Sequence, residues 1–268
     1  MKTKSVTAKK YFGQNFLQSE DVVRDIAEAI PHEKPLVIVE AGPGLGMLTK
    51  ELAKRADEVI AYEIDTSLKE KLEENLEEFS NIEIRYRDFL KVNLEEELPE
   101  EKDREYAFAS NLPYYITTPI LFKVLESRVP FTSVTVMVQK EVADRFLAKE
   151  NSPDYNDLSV IAQYLCEIRK VRQVGRQNFR PVPNVDSTVI QFIKRKEKPA
   201  VGDQNAFFAF IKGMFAQRRK TVLNNLSAMT KNKEEAAKIL EDAGIAPSRR
   251  PQECSCEEFL RLYERYTC

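Results

Sequence analysis

The sequence predicts an α/β protein with a doubly wound parallel sheet, followed by a smaller all-helical region. In the first two thirds of the 268 residues, short apolar runs alternate with stretches of helical periodicity, a pattern typical of parallel strands and the helices that connect them. After Lys198-Pro199-Ala200 only helical periodicity remains. The predicted organisation is therefore a basic N-terminal arm at 1–18, an α/β domain at 19–199 and a helical domain at 200–268.

The individual elements follow from local patterns, taken in chain order. Ser19 precedes the acidic Glu20 and Asp21, which favours the start of a helix. The run 36–39 is continuously apolar ahead of a glycine-rich loop, as expected of a strand buried on both faces. The other predicted strands are 59–62, 82–86, 106–109, 134–138, 167–174 and 188–193, and the other helices are 45–55, 66–79, 119–125, 139–149, 158–165, 207–225, 233–242 and 255–266.

Charge is unevenly distributed along the chain. The formal net charge is −2, but 63–105 contains 16 acidic and 7 basic residues, whereas 166–250 contains 18 basic and 8 acidic ones. Binding to phosphate depends on where cations cluster rather than on their total. The second half of the chain is therefore expected to carry a surface for nucleic acid.

Membrane insertion and metal chemistry are not expected. The sequence has no apolar run of about 18 residues, and its basic N-terminus lacks the apolar core of a secretory signal, so we predict a cytoplasmic protein. Cys166, Cys254, Cys256 and Cys268 form no zinc-type CxxC pair, and His32 is the only histidine. These residues do not match a metal site.

A glycine-rich loop directly after the strand at 36–39 predicts a cofactor site. Gly42, Gly44 and Gly46 give the spacing GxGxG ahead of a helix, where glycine lets the backbone approach a bulky ligand at the carboxyl edge of the sheet. A nicotinamide-binding GxGxxG counted from Gly42 would need glycine at position 47, where this chain has Met47. The spacing therefore favours a methyltransferase over a dehydrogenase.

Two acidic residues at the ends of the following strands support this interpretation. Glu63 follows the second strand, where a carboxylate accepts hydrogen bonds from a ribose diol. Asp88 follows the third strand, where its carboxylate could accept from an adenine amine. Either acid could instead cap its loop, and Glu63 alone would suit a dehydrogenase equally well.

The segment Asn111-Leu112-Pro113-Tyr114 after the fourth strand predicts the chemical step. An adenine amine is a poor nucleophile because its lone pair is delocalised into the ring. We expect the side-chain oxygen of Asn111 and the backbone carbonyl of Pro113 to accept the two amine hydrogens and aim the lone pair at a sulfonium methyl. Tyr114 would stack on the base, which has to leave its helical stack to be reached.

The sequence resembles the KsgA-type ribosomal RNA small-subunit adenine dimethyltransferases over nearly its whole length. The matching segments are Phe12-Gly13-Gln14-Asn15-Phe16-Leu17, Glu40-Ala41-Gly42-Pro43-Gly44-Leu45, Asn111-Leu112-Pro113-Tyr114, Gln139-Lys140-Glu141, 179–187 and Gln217-Arg218-Arg219-Lys220-Thr221. The resemblance implies a Rossmann-like class I methyltransferase sheet with helices on both faces, and S-adenosylmethionine as cofactor. It also implies two methyl transfers to each of two adjacent adenosines in the hairpin near the 3′ end of small-subunit rRNA, within a pre-30S-type particle.

Residue roles follow from the resemblance as well. The cofactor-binding positions would be Asn15, Leu17, Gly42, Glu63, Asp88 and Asn111, with Gly44 added from the glycine loop. Phe179 would face Tyr114 across the flipped adenine. We expect the enzyme to act as a monomer without a metal ion.

Three basic segments are predicted to face the RNA: the arm at Lys9 and Lys10, the strand-loop region with Arg176 and Arg180, and the cluster Arg218-Arg219-Lys220. Phosphate contacts position an RNA, while its folded shape selects it. The Arg218 cluster is expected on a helix, after phenylalanines that belong to the core.

Two other functions fit parts of the sequence. An Erm-type enzyme, which methylates an adenine of large-subunit rRNA, would share the fold and the chemistry, although Leu112 and the Gln-Arg-Arg-Lys-Thr segment favour the small-subunit type. A ribosome-assembly or RNA-binding factor with secondary catalysis is the other alternative, against which the intact Asn-Leu-Pro-Tyr segment and cofactor acids argue.

Overall fold

A seven-stranded sheet is the main element of the computed structural model, which describes residues 15–98 and 103–268. The strand order is β4-β3-β2-β5-β6-β9-β7, and a separate two-stranded sheet pairs β1 with β8. The strands are β1 (Phe16–Leu17), β2 (Leu36–Ala41), β3 (Glu58–Tyr62), β4 (Ile82–Arg85), β5 (Glu105–Asn111), β6 (Phe131–Gln139), β7 (Cys166–Val174), β8 (Phe179–Arg180) and β9 (Ser187–Lys194).

Most of the sheet is parallel, as predicted. β2 pairs in parallel with β3 on one side and with β5 on the other, β3 pairs with β4, and β5 with β6. β9 pairs antiparallel with β6. The chain thus runs from β2 outward to β4 and then returns to β5, so the carboxyl ends of β2 and β5 form a switch point, where ligands of doubly wound folds bind.

Helices connect the strands and make up the C-terminal part. They are α1 (Glu20–Glu28), α2 (Met47–Ala53), α3 (Lys69–Leu76), α4 (Leu94–Glu97), α5 (Thr117–Glu126), α6 (Lys140–Leu147), α7 (Asp157–Leu165), α8 (Gln204–Met214), α9 (Val222–Thr230), α10 (Lys233–Asp242) and α11 (Cys256–Thr267). Within the described residues, no helix is both long and apolar enough to cross a membrane.

The central strands are buried because both of their faces are covered. All six residues of β2 are buried, and the side chains of Leu36 and Ile38 lie in a core shared with Val22, Ile26 and Leu52 of α1 and α2. Burying a side chain of the size of leucine or isoleucine contributes about 1.5–3 kcal/mol. This core fixes the carboxyl end of β2, from which the glycine loop leaves.

The described residues form two compact units that differ from the predicted domains. One unit contains the residues up to 143 together with 169–194, and the other contains 144–168 together with 195–268. The prediction placed 144–168 in the first domain. In the second unit Tyr164 of α7 packs on Phe207 and Phe208 of α8, with ring centroids 5.0 and 6.1 Å apart, a long-range contact that sequence periodicity does not reveal. The predicted boundaries at 18/19 and 199/200 stay predictions.

The helix predicted at 207–225 is wrong in one respect: it is two helices, α8 and α9, separated by a turn. Thr221 caps α9, its hydroxyl accepting from the N–H of Asn224 at 3.3 Å. Asn225 holds the turn from inside, since its side chain accepts from the N–H of Gln217 and donates to the carbonyls of Gln217 and Thr221. Side chains that cap and bond locally in this way end helices.

Candidate active site

A cavity of about 1100 Å³ opens at the switch point of the first unit. It brings together every residue predicted to bind the cofactor: Asn15, Leu17, Gly42, Gly44, Glu63, Asp88 and Asn111. Pro113 and Tyr114 line the same cavity. Parallel strands present their carboxyl ends at one edge of a sheet, which is why segments far apart in sequence converge here. This volume is slightly above the usual range of about 300–1,000 Å³ for small-molecule sites, so it leaves room for more than one bound group.

The glycine loop needs glycine at particular positions. Gly44 has φ of 60°, and a Cβ there would lie 3.3 Å from the ring of Phe16. Gly46, which precedes the first residue of α2, has φ of 84°, and its Cβ would lie 3.0 Å from Leu76. Both φ values lie in the left-handed region that other residues rarely adopt. The GxGxG spacing is therefore explained by backbone shape and by close packing beneath the loop.

Glu63 lies directly after β3 and is held against the loop by backbone donors. One carboxylate oxygen accepts from the N–H of Gly44 at 3.1 Å, and the other from the N–H of Asp65 at 2.7 Å. The side chain is only 4% exposed. Burial raises the pKa of Glu63, while the two N–H groups act in the opposite direction. The carboxylate is thus fixed at the cavity wall with lone pairs left for further donors.

Asp88 serves as a loop cap and also lines the cavity. One of its oxygens accepts from the N–H of Leu90 at 3.0 Å, which starts a short 3-10 turn. Its other oxygen lies 3.8 Å from the ammonium of Lys91. Asp88 can therefore cap its loop and accept a hydrogen bond from a ligand at the same time, since a carboxylate has more acceptor sites than the cap uses.

Glu40 is a cavity residue that the sequence analysis did not select. It lies near the end of β2, is 1% exposed, and its Oε2 has no hydrogen-bond partner among the described residues. Burial raises the pKa of its carboxyl to about 8. The signal in the sequence was an acidic residue within an otherwise apolar strand, because a buried carboxyl oxygen without a hydrogen-bond partner costs stability unless it serves a ligand.

The segment 111–114 extends from β5 across the cavity. Asn111 donates from its amide nitrogen to the carbonyl of Asn15, at a long 3.5 Å, which leaves its side-chain oxygen without a donor among the described residues. Ser110 donates to the carbonyl of Ala41 at 2.6 Å and ties β5 to the end of β2. The hydroxyl groups of Tyr114 and Ser187 are 2.9 Å apart, and burial raises the pKa of Tyr114.

Comparison with known proteins decides the family. A family model described as ribosomal RNA adenine dimethylase matches residues 5–267. The chain belongs to this family. The assignment confirms the resemblance inferred from the motifs and makes the chain an enzyme that methylates adenine in ribosomal RNA.

Individual relatives agree with the family. Ribosomal RNA small subunit methyltransferase A of Oceanobacillus iheyensis is 43% identical over 262 residues, which cover 96% of this chain and 89% of the relative. Among solved structures, a dimethyladenosine transferase from Plasmodium falciparum is 25% identical with a TM-score of 0.76, covering 92% of this chain and 95% of that one. The 23S rRNA methyltransferase ErmE is 30% identical with a TM-score of 0.71, covering 95% and 100%. These matches confirm the predicted fold class.

The structure corrects the role predicted for the carbonyl of Pro113 in this dimethylase. That oxygen accepts from the N–H of Ile116 at 3.2 Å and from the hydroxyl of Thr117 at 3.0 Å. A carbonyl oxygen has two lone pairs, so both are used in starting α5. The carbonyl of Leu112, one residue earlier, accepts no hydrogen bond from the described residues, and Leu112 lines the cavity.

Phe179 is not where the sequence analysis placed it. Its ring is 0% exposed and belongs to the hydrophobic core, and it is absent from the cavity lining. Phe179 lies in β8, opposite Leu17 of β1. This pairing of segments about 160 residues apart was not predicted, and it explains why an aromatic residue of a matching motif is packed inside.

The basic residues predicted to bind RNA fall into two groups. Arg219 and Lys220 are exposed in the turn between α8 and α9. The side chains of three others donate to backbone carbonyls. Arg176 donates to Asn184, Arg180 donates to Gln177 and Phe179, and Arg218 donates to Pro153 and Tyr155. Lys9 and Lys10 lie outside the described residues. Arg218 is therefore primarily a structural residue, while Arg219 and Lys220 remain candidates for phosphate contacts.

Proposed function

We propose that the chain uses S-adenosylmethionine to dimethylate the N6 amines of two adjacent adenosines in the 3′-terminal hairpin of small-subunit rRNA, during assembly of the small ribosomal particle in the cytoplasm. The observation that carries this proposal is the convergence of Glu63, Asp88 and the segment 111–114 on one cavity. The relative from Oceanobacillus iheyensis, named as a small-subunit methyltransferase, supports the choice of RNA.

The residues of the cavity fit this cofactor. Glu63 offers carboxylate acceptors for a ribose diol, and Asp88 offers one for an adenine amine. Glu40 contributes a buried carboxyl oxygen that lacks a partner, which suits the positively charged amino and sulfonium groups of the cofactor. Asn15, Leu17, Gly42 and Gly44 complete the wall. When bound, S-adenosylmethionine supplies an electrophilic methyl group on a positively charged sulfur.

The chain activates the adenine amine by accepting its hydrogens. In our proposal the acceptors are the side-chain oxygen of Asn111 and the carbonyl of Leu112, which replaces that of Pro113. Two acceptors outside the ring plane draw the lone pair out of conjugation and orient it, so that positioning and electrostatics carry the rate. Pro113 keeps a supporting role, since its bonds to Ile116 and Thr117 fix the bend that presents Leu112.

Tyr114 holds the base. Its ring lines the cavity, and its hydroxyl is bonded to Ser187 of β9, so the ring is restrained from both ends. A flipped base is held by stacking on such aromatic side chains, at about 1–3 kcal/mol per base. Phe179 would join Tyr114 only if its ring left the core.

The RNA surface and the working form of the enzyme complete the proposal. The residues that would contact phosphates are Arg219 and Lys220, Arg176 and Arg180, and Lys9 and Lys10 of the N-terminal arm. We propose that the enzyme acts as a monomer and needs no metal ion, because the amine is activated by neutral acceptors.

One experiment tests the proposal against the large-subunit alternative. Purified enzyme is incubated with labelled cofactor and either unmodified small-subunit particles or unmodified large-subunit rRNA, and the nucleosides are mapped by mass spectrometry. We expect dimethyladenosine at two neighbouring positions of the small-subunit rRNA. Methylation of a single adenine confined to the large-subunit rRNA would contradict the proposal. An Asn111→Ala variant controls for contaminating activity.

A second experiment addresses the alternative of an assembly factor. Cells that lack the native gene are complemented with wild type or with Glu63→Ala. If catalysis is the main function, the variant loses methylation and fails to restore growth and particle assembly. Full rescue by a variant that no longer methylates would make binding the main function.

A further inference from the structure

Four large apolar side chains are exposed among the described residues, and two of them, Tyr115 and Val185, belong to segments that meet at Tyr114. The four are Ile64, Tyr115, Val182 and Val185, with exposed fractions of 46%, 55%, 51% and 37%. Tyr115 follows Tyr114 and lines the mouth of the cavity. Apolar surface that gathers at one place on a soluble protein marks an interaction site.

The segment that carries Val182 and Val185 is fixed close to this mouth. Ser187, two residues after Val185, lies with its hydroxyl 2.9 Å from that of Tyr114. Two residues of chain span at most about 7 Å, so the backbone of Val185 lies within about 7 Å of that of Ser187, at the hydroxyl end of Tyr114. Asp186 is anchored on both sides, because its carboxylate accepts from the N–H of Arg176 and its carbonyl from that of Lys140.

Cations belong to the same segment. Arg176 donates to the carbonyl of Asn184, and Arg180 donates to two carbonyls at the start of the segment. Each guanidinium keeps its charge and retains further N–H donors. Aromatic and apolar surface beside fixed cations is the combination that binds single-stranded nucleic acid, where bases stack and phosphates pair with arginine.

We propose that the exposed ring of Tyr115 forms a platform on which the base next to the target adenosine stacks. This inference rests on the proposed function, because a target adenine that leaves its stack uncovers the face of its neighbour. The platform covers that face while the target is in the cavity. Stacking tolerates any base, so the same platform accepts the neighbouring adenine whether or not it has been methylated.

The test compares Tyr115→Ala and Tyr115→Phe on two substrates. One is the unmodified small-subunit particle, and the other is a particle reconstituted with an abasic nucleotide beside the target adenosine. Tyr115→Ala should raise the KM for the normal particle about five- to a hundred-fold, the range expected for loss of one stacked base, and about twofold or less for the abasic particle. Tyr115→Phe keeps the ring and should restore the wild-type KM on both.

Cofactor affinity and thermal unfolding are measured for each variant, so that a rise in KM caused by weaker cofactor binding or by lost stability is recognised. An equal rise in KM on both particles would overturn the proposal, because the ring would then act elsewhere, and so would an unchanged KM for Tyr115→Ala on the normal particle. If the wild type methylates neither particle, the proposed function fails instead.

Discussion

Two buried acids with different surroundings lie in the cavity wall. Glu63 has a backbone N–H on each carboxylate oxygen, whereas Oε2 of Glu40 has no partner among the described residues. Burial raises the pKa of both side chains. The donors around Glu63 favour its charged form, which suits an acceptor for ribose hydroxyls. Burial favours the protonated form of Glu40, whereas a bound cationic ligand would favour its charged form.

The pKa of Glu40 predicts a pH dependence of stability. Between pH 4.5 and about 8 the folded chain keeps a proton on Glu40, whereas the unfolded chain has already released it. Stability therefore falls as pH rises through this window and levels off above it. Glu40→Gln should remove this contribution and raise Tm relative to wild type by several degrees at about pH 9 but little at about pH 5. A Tm difference that does not depend on pH would contradict the assignment.

Glu63 predicts a pH dependence of cofactor binding. Its charged form accepts the ribose hydroxyls, and its pKa is raised, so binding should weaken on acidification sooner than for an ordinary glutamate. We expect the Kd for S-adenosylmethionine, measured by calorimetry without RNA over a series of pH values, to begin rising at a higher pH than the ordinary pKa of a glutamate would set. Glu63→Gln should bind about 10- to 100-fold more weakly at the upper end of this series. An unchanged Kd in this variant would remove Glu63 from the site.

At the scale of elements, the turn between α8 and α9 separates structural from exposed cations. Arg218 bonds the carbonyls of Pro153 and Tyr155 at 2.8 and 2.9 Å, whereas Arg219 and Lys220 are exposed. Three consecutive basic residues of similar appearance in the sequence thus have different roles.

These roles predict opposite effects of mutation. Arg218→Ala should lower the free energy of unfolding by about 1–3 kcal/mol, since two carbonyls lose a charged donor. The double variant Arg219→Ala/Lys220→Ala should unfold like wild type but bind RNA more weakly, with the slope of log K against log salt reduced by up to about 2. Denaturant titration and RNA binding at several salt concentrations measure both. A wild-type salt slope in the double variant would exclude these residues from the RNA surface.

The elements also show how far sequence reasoning reaches. The glycine loop and the acids Glu63 and Asp88 could be placed because strand ends are marked locally, by apolar runs and by glycine. Two features could not be predicted from the sequence. The hydrogen bonds that use both lone pairs of the Pro113 carbonyl depend on how α5 begins, and the burial of Phe179 depends on pairing between β1 and β8. The break between α8 and α9 was missed because Asn225 acts through backbone groups four to eight residues away.

At the scale of the molecule, the switch point between β2 and β5 explains why one cavity serves both cofactor and base. Strands on either side of β2 deliver Glu63 and Asn111 to the same edge. Composition alone gave little of this, since a net charge of −2 does not suggest an RNA enzyme. The motifs along the chain identified the family, and the structure showed where those motifs lie.

Cofactor binding should therefore stabilise the unit that contains the cavity. At a concentration 100 times the Kd, S-adenosylmethionine is expected to add about 2.7 kcal/mol to its stability. Thermal unfolding of wild type with and without cofactor checks this shift, and Glu63→Gln at the same cofactor concentration should show a smaller one. A wild-type transition that does not respond to saturating cofactor would contradict the assignment of the cavity.

The rate of methyl transfer in Asn111→Ala tests the central claim most directly. The rate is measured in a single turnover on unmodified small-subunit particles, at saturating cofactor, so that any change in binding is removed. Loss of one of the two acceptors for the amine hydrogens should slow transfer about 100- to 1000-fold, while thermal unfolding stays close to wild type. A rate within about tenfold of wild type would show that the Asn111 oxygen does not activate the amine.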